Sequence, residues 1–497
     1  MFKRLIYTVT ALVVILSLAA CAGDAGDAAP AVGTAPDAGP ANNNGNDTAP
    51  AGDVTAGAAA QTGFLEQFPM STENITLTAS FWHEDPINLY LIDRFMEIHP
   101  NITVNFVNLE DGGWNENLSV MAGAGNLPDV FGMMFHPQLA VINEWAMDIT
   151  DIYNADPDTQ YIYDMFQPYG VINGRRYFMP VWQQIRAILL NMTMFEEFNE
   201  PLPDWDWTHE EMMEIARRLS RPEDFYWGLQ GVAWWEDYDV IWGESYMYGY
   251  DPFMGPFGTY HLGANWANGI NSHHDMRHLG VIYYMSGEDR EAMWGDPHRN
   301  PFDEGRIAMR YIHFSNLEDW GFLGQHYIDR GLYFDIWPYP GGRIGSVVPS
   351  TPDTGFISDT TPYPNDAWQL MKFMTWGAEG WHHRLDAYLY HDFTFKRMPF
   401  IDNQELWDRM ISLAATPGMA EVFRRADRGV PQVEKWVPGL HDYIAWEWQE
   451  TGGGVSRDIF NWRERPRNPH DYVELYNEML NHFLNQVGEE IVAIRQR

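Results

Sequence analysis

Apolar residues alternate with polar ones at Ile75, Leu77, Ala79 and Phe81, with Thr76, Thr78 and Ser80 between them, which is the period of a half-buried strand. Asp85 and Pro86 then open an amphipathic run in which Ile87, Leu91, Phe95 and Ile98 share a face, and Pro100 closes it. That pattern predicts a helix with Asp85 as its N-cap and Pro86 in its first turn. Alternation resumes at Ile102, Val104 and Phe106. A second helix, around Asn117 to Ala122, leads through Gly123, Gly125 and Pro128 to an apolar strand from Asp129 to Met133. The unit is β-α-β-α-β. Crossovers of this length favour parallel strands, and open parallel sheets bind ligands beyond their carboxyl ends. Three loops are thereby expected at one crevice, carrying Trp82, His83 and Asp85, then Asp111 and Trp114, then Phe135 and His136.

Farther along, Asn173-Gly174 separates Gly170-Val171-Ile172 from Tyr177-Phe178-Met179, a hairpin signal, and Pro180 to Trp182 leads into the apolar run Ile185 to Met192. Thr208 and Glu211 form a capping box ahead of the stripe Met212, Ile215, Ala216 and Leu219. Tyr226 to Gly231 reads as a strand and Val240 to Met247 as a helix. Between Asp251 and Asn300 the pattern dissolves, leaving only a helix expected near Met276 to Met285. The tail, through Trp446 and Asp471 to Val492, reads mainly as helices. No internal repeat of fixed period is visible.

The segments FWHEDP, LIDRFMEIHPNITVNF and MAGAGNLPDVF, the hairpin around Asn173-Gly174, the run before Thr208, PFDEGRIAM at 301–309, a return strand at Ile336 to Val348 and the helix Asn365 to Trp376 after it resemble the bacterial extracellular solute-binding proteins that serve ABC importers. The resemblance is to their sugar-binding family, which includes the maltose-binding proteins. It implies an α/β, two-lobed periplasmic-binding-protein-like fold, each lobe a sheet flanked by helices, with a ligand cleft between the lobes. On this pattern residues 64–183 begin the first lobe, 184–309 the second, 310–376 return to the first, and 377–497 add helices mainly to the second. At Tyr311 to Ser315 the chain departs from the glycine and tryptophan that the family often carries.

The beginning of the chain adds a second expectation. Lys3 and Arg4 precede an apolar run from Leu5 to Ala20, too short for a comfortable membrane span but right for a secretory signal, giving a signal peptide at 1–20. Leu18-Ala19-Ala20-Cys21 resembles a lipoprotein cleavage site with lipidated, palmitate-bearing Cys21, the sole cysteine of the chain. Residues 21–63 are Ala, Gly, Asp, Asn and Pro with little apolar bulk, and predict a disordered tether reaching roughly 35 Å from a membrane. More than 430 residues remain, too many for one ordinary core. The formal net charge is −38, which argues against nucleic acid and against adsorption to anionic lipid. Contact with the membrane would run through the lipid alone. Lysine occurs only at Lys3, Lys372, Lys396 and Lys435; no physical reason for that bias is evident.

The aromatic share, 15% with 22 Trp, bears on the ligand. A sugar offers an apolar C–H face and a rim of hydroxyls, so its sites pair flat rings with hydrogen-bonding side chains. By position Trp82, Trp114 and Trp182 are the leading platforms, with Trp234, Trp235, Trp242 and Trp337 behind them, although most tryptophans must serve packing. Asp85 and His136 are the polar candidates, and capping alone also explains Asp85. His274 and His278 stand four apart, a spacing that can hold zinc, but no third ligand accompanies them and surface histidines explain them better. Glu84-Asp85 and Asp303-Glu304 are barely above chance as glycosidase pairs. Neither a nucleophile elbow, a P-loop nor a dinucleotide fingerprint is present. The chain therefore reads as a monomeric, lipid-anchored protein on the outer face of the cell membrane. It would bind a carbohydrate, with an oligosaccharide favoured, and pass it to ABC permease subunits, with no catalytic residue, cofactor or metal. A surface glycoside hydrolase, or the same fold binding a peptide or polyamine, are the alternatives.

Overall fold

The computed structural model describes residues 54–81, 85–109, 113–133, 136–230, 249–278, 280–283, 285–314, 317, 323–342, 347–391, 393, 395–433, 436–451 and 468–496. The described residues 54–67 and those from Phe68 onward belong to separate units. In the first, Val54–Gln67 is helical, so the disordered tether expected through residue 63 is corrected at its end. Ala56 and Ala58 to Ala60 supply the strongest intrinsic helix formers there. The signal peptide and Cys21 lie outside the described residues.

The second unit opens with β1 (Ile75–Ser80), α1 (Pro86–Ile98), β2 (Ile102–Phe106), α2 (Trp114–Gly123) and β3 (Val130–Met133). Asp85 caps α1 by accepting from the Ile87 N–H at 2.8 Å. Ile87, Leu91 and Phe95 are buried, but Ile98, in the last turn, stays 40% exposed. After the hairpin, in which Asn173 (φ 50°) and Gly174 (φ 75°) turn through left-handed backbone, come β4 (Met179–Pro180), β5 (Arg186–Asn191), β6 (Trp227–Gln230), β7 (Ile307–His313) and β8 (Phe334–Pro338). The chain ends with β9 (Val348–Ser350), β10 (Thr354–Ile357), α3 (Pro364–Met374), α4 (Ala378–His391), β11 (Gly429–Pro431) and α5 (Val473–Arg495).

The strands make two main sheets, one for each lobe. The first has the order β2-β1-β3-β10-β4 and the second β8-β5-β7-β6. In the first, β1 is parallel to β2 and β3, while β10 runs antiparallel to β3 and β4. In the second, β5 is antiparallel to β7 and β8, and β6 is parallel to β7. Asp129, which opens β3, ties the first sheet together: it accepts from the Thr78 N–H and hydroxyl at 2.7 Å each and from the Thr361 hydroxyl at 2.6 Å. The capping box at Thr208 and Glu211 is present, and Met212, Ile215, Ala216 and Leu219 are buried.

Several boundaries differ from the sequence reading. β7 and β8 both pair with β5 in the second sheet, so the return to the first falls between Pro338 and Thr354 and not at residue 310. α4 packs on α1 of the first lobe. The helix expected at Met276 to Met285 instead spans Ala264–His278. Gly280 then turns left-handed at φ 70°, and the next residues pair with the open edge of β6: Leu229 donates to the Val281 carbonyl at 3.2 Å and Tyr283 to that of Leu229 at 2.8 Å. The helix expected at Val240 to Met247 lies outside the described residues.

Candidate ligand-binding site

The carboxyl ends of β1, β2 and β3 share one edge of the first sheet; β4 ends there too, and antiparallel β10 begins there. The segments bearing Asp85, Trp114, His136, Trp182 and Asp353 therefore gather at a common rim. In the second sheet β5 starts at Arg186, opposite His313 at the end of β7, while Pro338 at the end of β8 faces Ala187. The two rims meet at the crossings. Gln183 and Met398 exchange backbone hydrogen bonds at 2.9 Å in both directions, the Gln183 amide donates to the Pro399 carbonyl at 2.7 Å, and β9 pairs with β11. Chain segments far apart in sequence thus form one hinge.

Asp85 is buried. Burial alone would raise its carboxyl pKa, but Arg397 at 3.3 Å, Lys396 at 3.7 Å and the Ile87 N–H outweigh it and hold the group below the usual carboxylate range. It is an ionised cap and ion-pair partner. Trp182 is only 1% exposed. Its indole N–H donates to Asp353 at 3.1 Å and the Arg397 guanidinium lies 3.8 Å from its ring centre, so it sits inside the hinge packing and not on an open face. Trp114 is half-buried in the first turn of α2 and donates its indole N–H to the Gly132 carbonyl at 2.8 Å. His136 has left-handed backbone at φ 54°, and burial pushes its imidazole down to about 4, leaving it neutral at pH 7.

Trp337 comes from the second sheet and is nearly enclosed. Its ring stacks on half-buried Trp205 with centroids 3.9 Å apart. The structure thus brings Asp85, Trp114, His136 and Trp182 to the first-lobe rim and Trp337 to the other sheet. Trp82, Trp234, Trp235 and Trp242, with His83, Asp111 and Phe135, lie outside the described residues. Trp205, Asp353 and Arg397 are participants that the sequence did not single out. Lys396-Arg397 carried the one available signal, a basic pair in a strongly acidic chain.

Of the two acid pairs considered, Glu84 of the first lies outside the described residues, and the carboxylates of Asp303-Glu304 have partners of their own. Asp303 accepts from the Tyr327 hydroxyl at 2.9 Å, and Glu304 binds Arg299 at 2.6 Å and Arg330 at 3.1 Å. Among the described residues, no group of three or more His, Cys, Asp and Glu could hold a metal ion, and no helix is long and apolar enough to cross a membrane. The side chains of His274 and His278 lie outside the described residues.

The family model of bacterial extracellular solute-binding proteins matches residues 83–375. This chain belongs to that family. The matched part runs from the loop after β1 to the end of α3, so it includes the second sheet, every strand of the first except β1, and two of the crossings between them. No curated protein sequence matches the chain. Among solved structures, the fold is similar to that of an ABC substrate-binding protein from Listeria monocytogenes in complex with cycloalternan, with 16% identity, a TM-score of 0.58, and 82% of this chain and 99% of that one covered. It is also similar to the cyclic alpha-maltosyl-1,6-maltose binding protein of Arthrobacter globiformis, with 14% identity, a TM-score of 0.59 and coverages of 83% and 99%. A third is the GacH receptor of Streptomyces glaucescens, at 15% identity, a TM-score of 0.56 and coverages of 82% and 99%. At these identities the likeness establishes the two-lobed fold.

Proposed function

We propose that this protein is anchored by a lipid on Cys21 outside the cell membrane, captures a carbohydrate, with an oligosaccharide favoured, and delivers it unchanged to an ABC importer. The observation that carries the reading is the meeting of two rims across one hinge, with indoles and ionised or hydrogen-bonding groups beside it. Trp114 and His136 would face the ligand from the first lobe and half-buried Trp205, stacked on Trp337, from the second, while Asp85 and Trp182 hold the hinge through Arg397 and Asp353. Flat rings with polar neighbours suit a sugar. The solved structures with similar folds, named for cycloalternan, cyclic alpha-maltosyl-1,6-maltose and acarbose, support the ligand class. A ligand touching both lobes would favour the closed form by its differential affinity, and the importer would read closure.

The test begins with Cys21→Ala, which should move the chain from the membrane to the soluble fraction and so supply protein for a thermal-shift screen. Saturation at about 100 times Kd adds about 2.7 kcal/mol, a rise of a few degrees for a chain of this size. Stabilisation by saccharides recovered intact supports the proposal. Cleaved saccharide would replace it with a glycoside hydrolase, and stabilisation only by peptides or polyamines would retire the carbohydrate.

A further inference from the structure

Between β6 and β7 the chain leaves the second sheet and returns to it, and the residues between are built onto the first lobe. The hairpin of Tyr250–Asp251 with Thr259–Tyr260 lies along α5, where Asn481 holds both backbone groups of Tyr260, and Asn477 both of Leu262, at 2.6 to 2.8 Å. The Phe257 ring comes so close to α5 that a Cβ at Gly488 would meet it at 2.4 Å. The helix Ala264–His278 follows. Its Trp266 ring lies 5.2 Å from that of Tyr476, and Asn268 is hydrogen-bonded to His470 at 2.8 Å. α5 in turn packs on the short helix Gln138–Ile142 after β3, and its Arg495 donates to the Val141 and Ala146 carbonyls. A second route reaches the same lobe. Tyr250 stands edge-on to Trp436 at 5.5 Å, and Trp436 lies 5.6 Å from Tyr169, whose hydroxyl shares a hydrogen bond with that of Thr354 on β10 at 2.9 Å.

The return to the second lobe is abrupt. Val281 and Tyr283 take the open edge of β6, and the Tyr283 ring stands edge-on to Trp227 at 5.2 Å. Gly280 makes the turn with left-handed backbone, and a Cβ there would crowd Pro222 at 3.1 Å. From the helix end at His278 to Val281 the backbone reaches at most about 11 Å when extended. The other join, residues 231–248, is several times longer and by length alone sets a far looser limit. We propose that residues 249–278 form a strap that travels with the first lobe and, through this short link, limits how far the second lobe swings. The strap restrains the lobes in addition to the hinge crossings. It narrows the range of open forms and so reduces the freedom that a ligand must remove to close the cleft.

Cys21 is the sole cysteine, so the Cys21→Ala protein accepts spin labels at chosen positions. Val120→Cys on α2 marks the first lobe, Glu214→Cys on the helix after Thr208 the second, and Phe253→Cys the strap; all three side chains are exposed. Pulsed electron paramagnetic resonance then compares three ligand-free proteins: the parent, Asn477→Ala with Asn481→Ala, and a chain with Gly-Ser-Gly inserted between Gly280 and Val281. The insertion adds up to about 10 Å of reach and leaves every α5 contact in place. It should broaden the distance distribution between positions 120 and 214 by several ångströms while that between 120 and 253 keeps the parent's width. The asparagine substitutions should broaden both. An unchanged distribution between 120 and 214 after the insertion would overturn the strap. So would a parent distribution between 120 and 253 as broad as that between the lobes. If the asparagine variant fails to fold, the insertion decides alone.

Discussion

At Asp85 a single carboxylate ends a loop, starts α1 and pairs with Arg397, a residue 312 positions away. The first two roles were legible, because Asp before Pro is a local signal. The third was not, since no local pattern places residue 397 beside residue 85. The same limit applies to Trp182: its position at the crossing could be read, but Asp353 and Arg397, which enclose it, come from remote segments. His209 gives a residue-scale prediction. It is 3% exposed, and burial, aided by Arg217, pushes its imidazole down to about 4, against about 6.5 for a free histidine. Between those values the unfolded chain binds a proton that the folded chain does not, so stability present above pH 6.5 is lost as pH falls toward 4. His209→Gln should flatten this slope in denaturant titrations across that window, leaving the parts owed to His136 and His99, whose imidazoles burial also pushes down and which have the same sign. An unchanged slope would show that His209 does not contribute.

Elements were legible where capping and periodicity agreed, as in α1, the hairpin at Asn173-Gly174 and the helix after Thr208. Sheet membership was not. β7 and β8 are apolar runs that would read alike in either sheet, and only their pairing with β5 assigns them to the second lobe. α3 shows how an element is locked in place beyond its pattern. Lys372 points to Asp156, with N–O distances of 2.8 and 2.9 Å, and the Trp368 indole donates to the same carboxylate at 2.8 Å. All three side chains are buried. Lys372 also reaches partly exposed Asp158 at 2.6 Å, so the change that leaves a buried charge uncompensated is the loss of Lys372, which strands Asp156 at a cost on the order of 3–5 kcal/mol. Lys372→Met should therefore lower the urea midpoint strongly, and adding Asp156→Asn should restore part of the loss. Additive losses would mean that the pair is not coupled.

The whole chain combines a strongly acidic surface with two lobes joined at a hinge, and its last helix adds a tie that the family match does not include. Asn481 of α5 pairs with both backbone groups of Tyr260 at 2.7 and 2.8 Å, Asn477 does the same for Leu262 at 2.6 and 2.8 Å, and Arg495 donates to the carbonyls of Val141, at 3.1 Å, and Ala146. α5 thus fastens the region between β6 and β7, where the sequence pattern dissolved, to the first lobe. Long-range amide and guanidinium contacts to backbone leave no periodic trace, which is why this part was unreadable. Capture of an intact sugar by the whole molecule is the central claim, and calorimetric titration with the saccharide selected by the thermal screen tests it most directly. The account predicts saturable heat that stops once the sites are filled, with the sugar recovered unchanged. Heat that continues at constant rate after saturation, with shortened sugar in solution, would contradict it and make the protein an enzyme.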